Sequence, residues 1–121
     1  MHFFKKISES KSFDLHKGVK VKVLTTSNDE SMTAIQLEIE PGSLMPTHKH
    51  FEEQFGFIKE GKLRMWIGDE EETLETGDFY YVPPDKEHGS STVGDKKCVK
   101  IDVFYPRRKD YLEMIEKREQ L

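Results

Sequence analysis

The sequence predicts an all-β fold, a small jelly-roll barrel or double-stranded β-helix with a short helix at its C-terminal end. Alternation of apolar and polar residues with period two marks several segments as half-buried strands, turn signals recur every ~10 residues, and a proline closes the last strand just ahead of a helical pattern.

Residues 1–17 mix Phe3, Phe4 and Phe13 with Lys5, Lys6, Glu9 and Lys11, and read as an arm that packs on a neighbouring subunit; residues 18–121 form the domain. After Gly18, Val19-Lys20-Val21-Lys22-Val23 alternates as a strand should. Asn28-Asp29-Glu30-Ser31 is a turn, and Ile35, Leu37 and Ile39 line one face of a second strand that Pro41-Gly42 ends. Phe55 to Lys59 and Lys62 to Ile67 are two strands joined at Glu60-Gly61, with Leu63, Met65 and Ile67 opposite Lys62, Arg64 and Trp66. Gly68-Asp69 and Thr76-Gly77-Asp78 are turns, Glu70-Glu71-Glu72 is a solvated edge, and Phe79 to Val82 is a strand. The last strand, Cys98 to Tyr105, puts Val99, Ile101, Val103 and Tyr105 on one face and Lys100, Asp102 and Phe104 on the other. Beyond Pro106, Asp110 and Glu113 have capping-box spacing, and Leu112, Ile115 and the stem of Arg118 share one face of the helix.

A length of 121 residues suits one domain with one core, and charged and hydrophobic residues at 35% each are the mix of a soluble globular chain. The net charge of -4 comes without a long basic run, which argues against nucleic acid as a partner. Cys98 is the single cysteine, so an internal disulfide is excluded and a reducing compartment fits. There is no signal-peptide core and no run long enough to cross a bilayer; the expected location is the cytoplasm and no membrane is expected as a partner.

Chemistry concentrates between Gly42 and Gly61. Residues two apart in an extended segment point the same way, so His48 and His50 aim both imidazoles at one point. Glu53 and Gln54 follow as oxygen donors, and His88 lies in Pro83-Pro84-Asp85-Lys86-Glu87-His88-Gly89. A lone histidine in a β protein is usually a surface or hydrogen-bonded residue, the reading given to His2 and His16; three at matching spacings are a divalent metal site. Imidazole with an amide oxygen suits zinc, nickel, manganese, iron, cobalt and copper alike.

Gly42, His48, His50, Gln54 and Gly61 meet a glycine, five residues, His-x-His, three residues, Glu or Gln, six residues, glycine pattern, which resembles the first motif of the cupins. Gly77, Pro83 and His88 resemble the second, with Asp85 where a glycine is usual and Thr92 where an asparagine is usual. The resemblance implies His48, His50, Gln54 and His88 as metal ligands; the alternative is Glu53 as the oxygen ligand with Gln54 a core amide. Asp102-Val103-Phe104-Tyr105-Pro106-Arg107-Arg108-Lys109-Asp110-Tyr111 looks like the ending of the KdgF group of cupins, with Tyr105 and Arg107 replacing the commoner serine and proline and Phe51 following the clamp where proline is usual.

That group converts 4,5-unsaturated monouronates to the linear 5-keto-4-deoxyuronate. The resemblance implies Asp102 as acid/base, Phe104 as a packing aromatic, and Arg108 as a substrate-contacting and catalytic arginine acting on a small anionic sugar. A carboxylate and an aromatic two apart would face a metal if their strand face is interior; the structural alternative is an Asp102 that salt-bridges Lys100 or a loop arginine. A homodimer is expected, since the arm is aromatic and a small barrel's sheet edges need covering. A quercetinase-type dioxygenase and a non-catalytic sugar- or metal-binding module are the other classes compatible with the clamp.

Overall fold

The structure, a computed structural model, describes residues 3–26, 31–111 and 113. Two antiparallel sheets face each other. Among the described residues a short 3-10 turn at Ile7–Glu9 precedes ten strands: β1 (Ser12–His16), β2 (Val19–Thr26), β3 (Thr33–Ile39), β4 (Leu44–His48), β5 (Glu53–Glu60), β6 (Lys62–Ile67), β7 (Glu70–Glu75), β8 (Phe79–Val82), β9 (His88–Thr92) and β10 (Cys98–Tyr105). One sheet runs β1-β2-β3-β10-β5-β8 and the other β4-β9-β6-β7. This is the jelly roll that the turn spacing and the alternation predict.

The core lies between the sheets and follows from the period of two. Val19, Val21 and Val23 of β2, Ile35, Leu37 and Ile39 of β3, Ile58 of β5, and Leu63 and Met65 of β6 are all buried there. Burying each such side chain stabilises the fold by about 1.5–3 kcal/mol. On β10 the even face is interior, so Lys100, Asp102 and Phe104 are buried while Tyr105 is exposed. Pro106 follows the last ladder residue, as expected of a residue without an N–H.

Three elements depart from the sequence reading. Ser12–His16 of the arm is β1, paired to β2 of the same chain and burying Phe13 in its core, while Phe3 and Phe4 are exposed. The glutamate run is itself a strand: Glu70–Glu75 pairs with β6 as the edge of the smaller sheet. Its glutamates are exposed, the solvated edge expected of them, and only Leu74 turns toward the core, so no alternation marks the strand. Helical backbone begins at Lys109, inside which Asp110 is no cap; its carboxylate binds Arg108 instead. The turn at Asn28-Asp29-Glu30 and the helix face of Leu112, Ile115 and Arg118 lie outside the described residues.

Candidate metal centre and inner cavity

Four strand ends converge at one mouth of the barrel. β4 delivers His48, and His50 follows it in the next turn; β9 begins at His88, directly opposite His48 in the ladder. Gln54 near the start of β5 faces Phe104 near the end of β10. One ring nitrogen from each of His48, His50 and His88 lies within 4.8 Å of the other two. The loop before His88 holds its shape because Asp85 takes φ 59°, the left-handed conformation that aspartate tolerates in place of glycine, and its N–H donates to the His50 carbonyl at 2.8 Å. Thr92 likewise uses its hydroxyl, accepting from the Ser43 N–H and donating to the Glu40 carbonyl.

Each imidazole is oriented the same way. Nδ1 of His48, His50 and His88 donates to the carbonyl of Pro46, Glu52 and Lys86 respectively, at 2.8–2.9 Å. A carbonyl can only accept, so Nδ1 carries the proton and Nε2 is left with the lone pair that could hold a metal. Nε2 of His88 is buried without any partner. Nε2 of His50 lies 3.1 Å from Gln54 Oε1; in a neutral ring both atoms are acceptors, and a cation shared between them would make their approach favourable. These residues fit a divalent metal. Burial, opposed by the Lys86 carbonyl, pushes His88 down to about 4, and burial also lowers His48.

Glu53 points the other way, to the outer face, where it accepts from Tyr81 at 2.9 Å. Gln54 is the oxygen donor that faces the histidines. His16 is exposed and lies apart from the three, on β1. His2 is outside the described residues.

Below the histidines is a cavity of about 30 Å³, roughly the share of one water in liquid, lined among others by His48, His50, His88, Gln54, Asp102 and Phe104. Asp102 is fully buried there. Tyr80 donates to its Oδ1, Lys100 Nζ lies 3.4 Å from its Oδ2, and Oδ2 has no hydrogen-bond partner. The interior carboxylate and the Lys100 ion pair, alternatives in the sequence, thus coexist. Lys100 Nζ also donates to the Tyr80 hydroxyl at 3.0 Å, and Gln54 Nε2 lies 3.5 Å from the same oxygen. Burial, then the Asp102 charge, pushes Tyr80 well up, so the phenol keeps its proton. Sequence reasoning missed Tyr80 and named Lys100 only as an ion-pair partner of Asp102; the one signal was a lysine and an aspartate on the face of β10 that also carries Phe104.

Arg108 spans this cavity and an open mouth of about 700 Å³. Its guanidinium sits 4.8 Å from the Phe104 ring and 4.7 Å from that of Tyr111, and binds Asp110 through two nitrogens at 3.0 and 2.7 Å. Its backbone N–H donates to buried Thr33. Phe104 is thereby covered, with His50 against its edge, and forms the floor under Arg108. No helix among the described residues is long and apolar enough to cross a membrane.

A two-sheet β barrel with a three-histidine cluster at its mouth is the architecture of a cupin. The cupin domain family model matches residues 35–104, and the chain belongs to the cupin family. Within it the chain is similar to pectin degradation protein KdgF of Dickeya dadantii, 31% identical over 100 residues that span 82% of this chain and 88% of that one. It is also similar to H2HPP isomerase of Bacillus subtilis, 30% identical over 100 residues, 81% of this chain and 41% of that protein. Among solved structures, KdgF from Halomonas sp. shares the fold with a TM-score of 0.83 at 24% identity, over 89% of this chain and 98% of that one. An oxalate decarboxylase of Bacillus subtilis shares it with a TM-score of 0.72 at 22% identity, over 85% of this chain and 29% of the other.

Proposed function

We propose that this cupin is a cytoplasmic, metal-dependent enzyme that linearises 4,5-unsaturated monouronates to 5-keto-4-deoxyuronate. The observation that carries the reading is Asp102, a fully buried carboxylate that lines the same cavity as the three histidines and whose Oδ2 accepts no hydrogen bond, with Lys100 Nζ 3.4 Å away. The similarity to a pectin degradation protein supports the substrate class, and a relative named an isomerase supports a reaction that moves protons without net oxidation.

His48, His50, His88 and Gln54 would hold the metal. Four neutral ligands leave a divalent charge uncompensated, and when bound it acts as a Lewis acid toward the substrate's oxygens. The open mouth of about 700 Å³ has room for a sugar ring, whereas the inner cavity of about 30 Å³ does not. Arg108 meets the uronate carboxylate in the mouth by charge-assisted hydrogen bonds, and Phe104 serves binding by carrying that guanidinium. Asp102 Oδ2 takes the proton of the anomeric hydroxyl as the C1–ring-oxygen bond opens. The resulting enolate takes that proton back from Asp102 at C4, so the C4=C5 double bond is lost, a ketone forms at C5 and the atoms balance.

We place the protein in a homodimer with a second copy as the occupant of an aromatic sheet face. Phe55, Phe57, Phe79 and Tyr81 are exposed on the outside of the larger sheet, and Phe3 and Phe4 project beside its other end. Each copy thus carries both an aromatic arm and an apolar face, the self-complementary pairing that a two-fold interface requires.

The test of the activity is optical. Metal-loaded protein should accelerate loss of an unsaturated monouronate's ultraviolet absorbance over its spontaneous decay, with no oxygen consumed. An unchanged decay rate, or oxygen uptake with a flavonol as substrate, rejects the assignment and leaves a metal-binding cupin of another class.

A further inference from the structure

We infer that Tyr80 is a positioning residue for the metal: its hydroxyl fixes which way the Gln54 amide faces and so presents Gln54 Oε1, not the NH2 group, to the ion. The inference rests on the metal-site reading above and not on the identity of the substrate.

The geometry comes from one rung of the larger sheet. Asp102 on β10 and Tyr80 on β8 both pair with Gly56 on β5, the strand between them. All three positions face the interior, and two residues along β5 on the same face is Gln54. A Cβ on Gly56 would overlap Asp102 Oδ1 and come within 2.6 Å of the Tyr80 hydroxyl, so only glycine leaves room for carboxylate and phenol to meet over the strand.

Counting donors then decides the amide. A phenol has one proton to donate and two lone pairs with which to accept. Asp102 Oδ1 takes the proton, and the Lys100 ammonium, which has no acceptor, must donate to the oxygen at 3.0 Å. What remains at Tyr80 is one lone pair, and the group facing it is the Gln54 amide. Were the amide reversed, its oxygen would face another acceptor at Tyr80 and its NH2 would face the His50 lone pair side of the metal site, where a nitrogen without a lone pair binds no cation. Tyr80 therefore selects the orientation in which Nε2 is spent inward and Oε1 lies 3.1 Å from His50 Nε2.

A glutamate at position 54 needs no such selection, since either carboxylate oxygen can face the ion. The prediction is a double-mutant cycle read by the Zn2+ and Ni2+ dissociation constants of the full chain in chelator competition. Tyr80→Phe should weaken both metals about 10- to 100-fold, the usual cost of losing a partner that orients a ligand. In a Gln54→Glu background the same Tyr80→Phe change should cost less than about three-fold, since no amide is left to orient. Equal losses in the two backgrounds, or no loss in the first, overturn the inference. Independently of any variant, the Gln54 side-chain NH2 protons of the zinc-loaded wild type should show NMR contacts to the Tyr80 ring, and their absence overturns it too. Loss of metal binding by the parent protein would instead indict the metal site itself, so the two failures are distinguishable.

Discussion

Tyr80 and Asp102 stand on β8 and β10, strands that are not hydrogen-bonded to each other, and their side chains meet over the bare backbone of Gly56 on β5. The bond joins the residue proposed to move a proton to the residue proposed to orient a metal ligand. Gly56→Ala inserts a methyl into that contact, and overpacking of this kind costs about 1–3 kcal/mol. Chemical denaturation should show that loss with an unchanged m-value, and turnover should fall with it.

Removing two ligands should remove the metal while leaving the barrel. His48 and His50 are not part of the buried apolar cluster, so His48→Ala combined with His50→Ala should keep the β-rich circular dichroism and lose nearly all bound metal. Trp66 gives a second readout, since it packs against Gly89 next to His88 and donates to Thr47 next to His48. Nickel should quench its fluorescence in the wild type alone. Stoichiometric metal in the double variant rejects the site.

Asp102→Asn keeps an oxygen for the Tyr80 proton and is expected to retain metal, but it gives up the basic Oδ2. Turnover should drop about a hundred- to ten-thousand-fold, the usual span of acid/base catalysis, with the Michaelis constant little changed. Arg108→Ala should act in the opposite sense, chiefly raising the Michaelis constant. Steady-state kinetics on both variants separates the roles; a rate unaffected by Asp102→Asn removes that residue from the chemistry.

The His88 ring ties stability to pH in the metal-free protein. Its folded value of about 4 lies below the ordinary 6.5. Above pH 6.5 the ring is neutral in both states and contributes no slope. As pH falls from 6.5 to about 4, the unfolded chain takes up a proton that the folded protein refuses, so the fold loses stability, by about 3 kcal/mol at most. Urea titrations of chelator-treated wild type against His88→Leu should show this limb in the wild type and a flatter one in the variant; parallel curves contradict it.

Sedimentation should give twice the 14.2 kDa chain mass. Removing residues 1–11 spares β1, and Phe57→Lys places a charge on the exposed sheet face; each change should weaken the dimer. A monomer at micromolar concentration refutes the dimer, and a dimer indifferent to both changes refutes the interface.

Sequence alone determined the strands that alternate, the family, and the residues that meet at the mouth. Spacing is enough for these because side-chain direction in a strand repeats every two residues, and because His48, His50 and Gln54 sit within one short segment. It also showed that Lys100, Asp102 and Phe104 share a face. What only the tertiary structure decided is which face is inside, and what three strands distant in sequence bring together there. The Asp102–Gly56–Tyr80 rung joins residues whose pairing is set by the order β10-β5-β8, which no local period encodes. Glu53 and Gln54 are neighbours in sequence, and the pleat sends one to Tyr81 in solvent and the other to the histidines. A lysine, an aspartate and a tyrosine look like ordinary strand residues until burial removes water and turns them toward one another and Gln54.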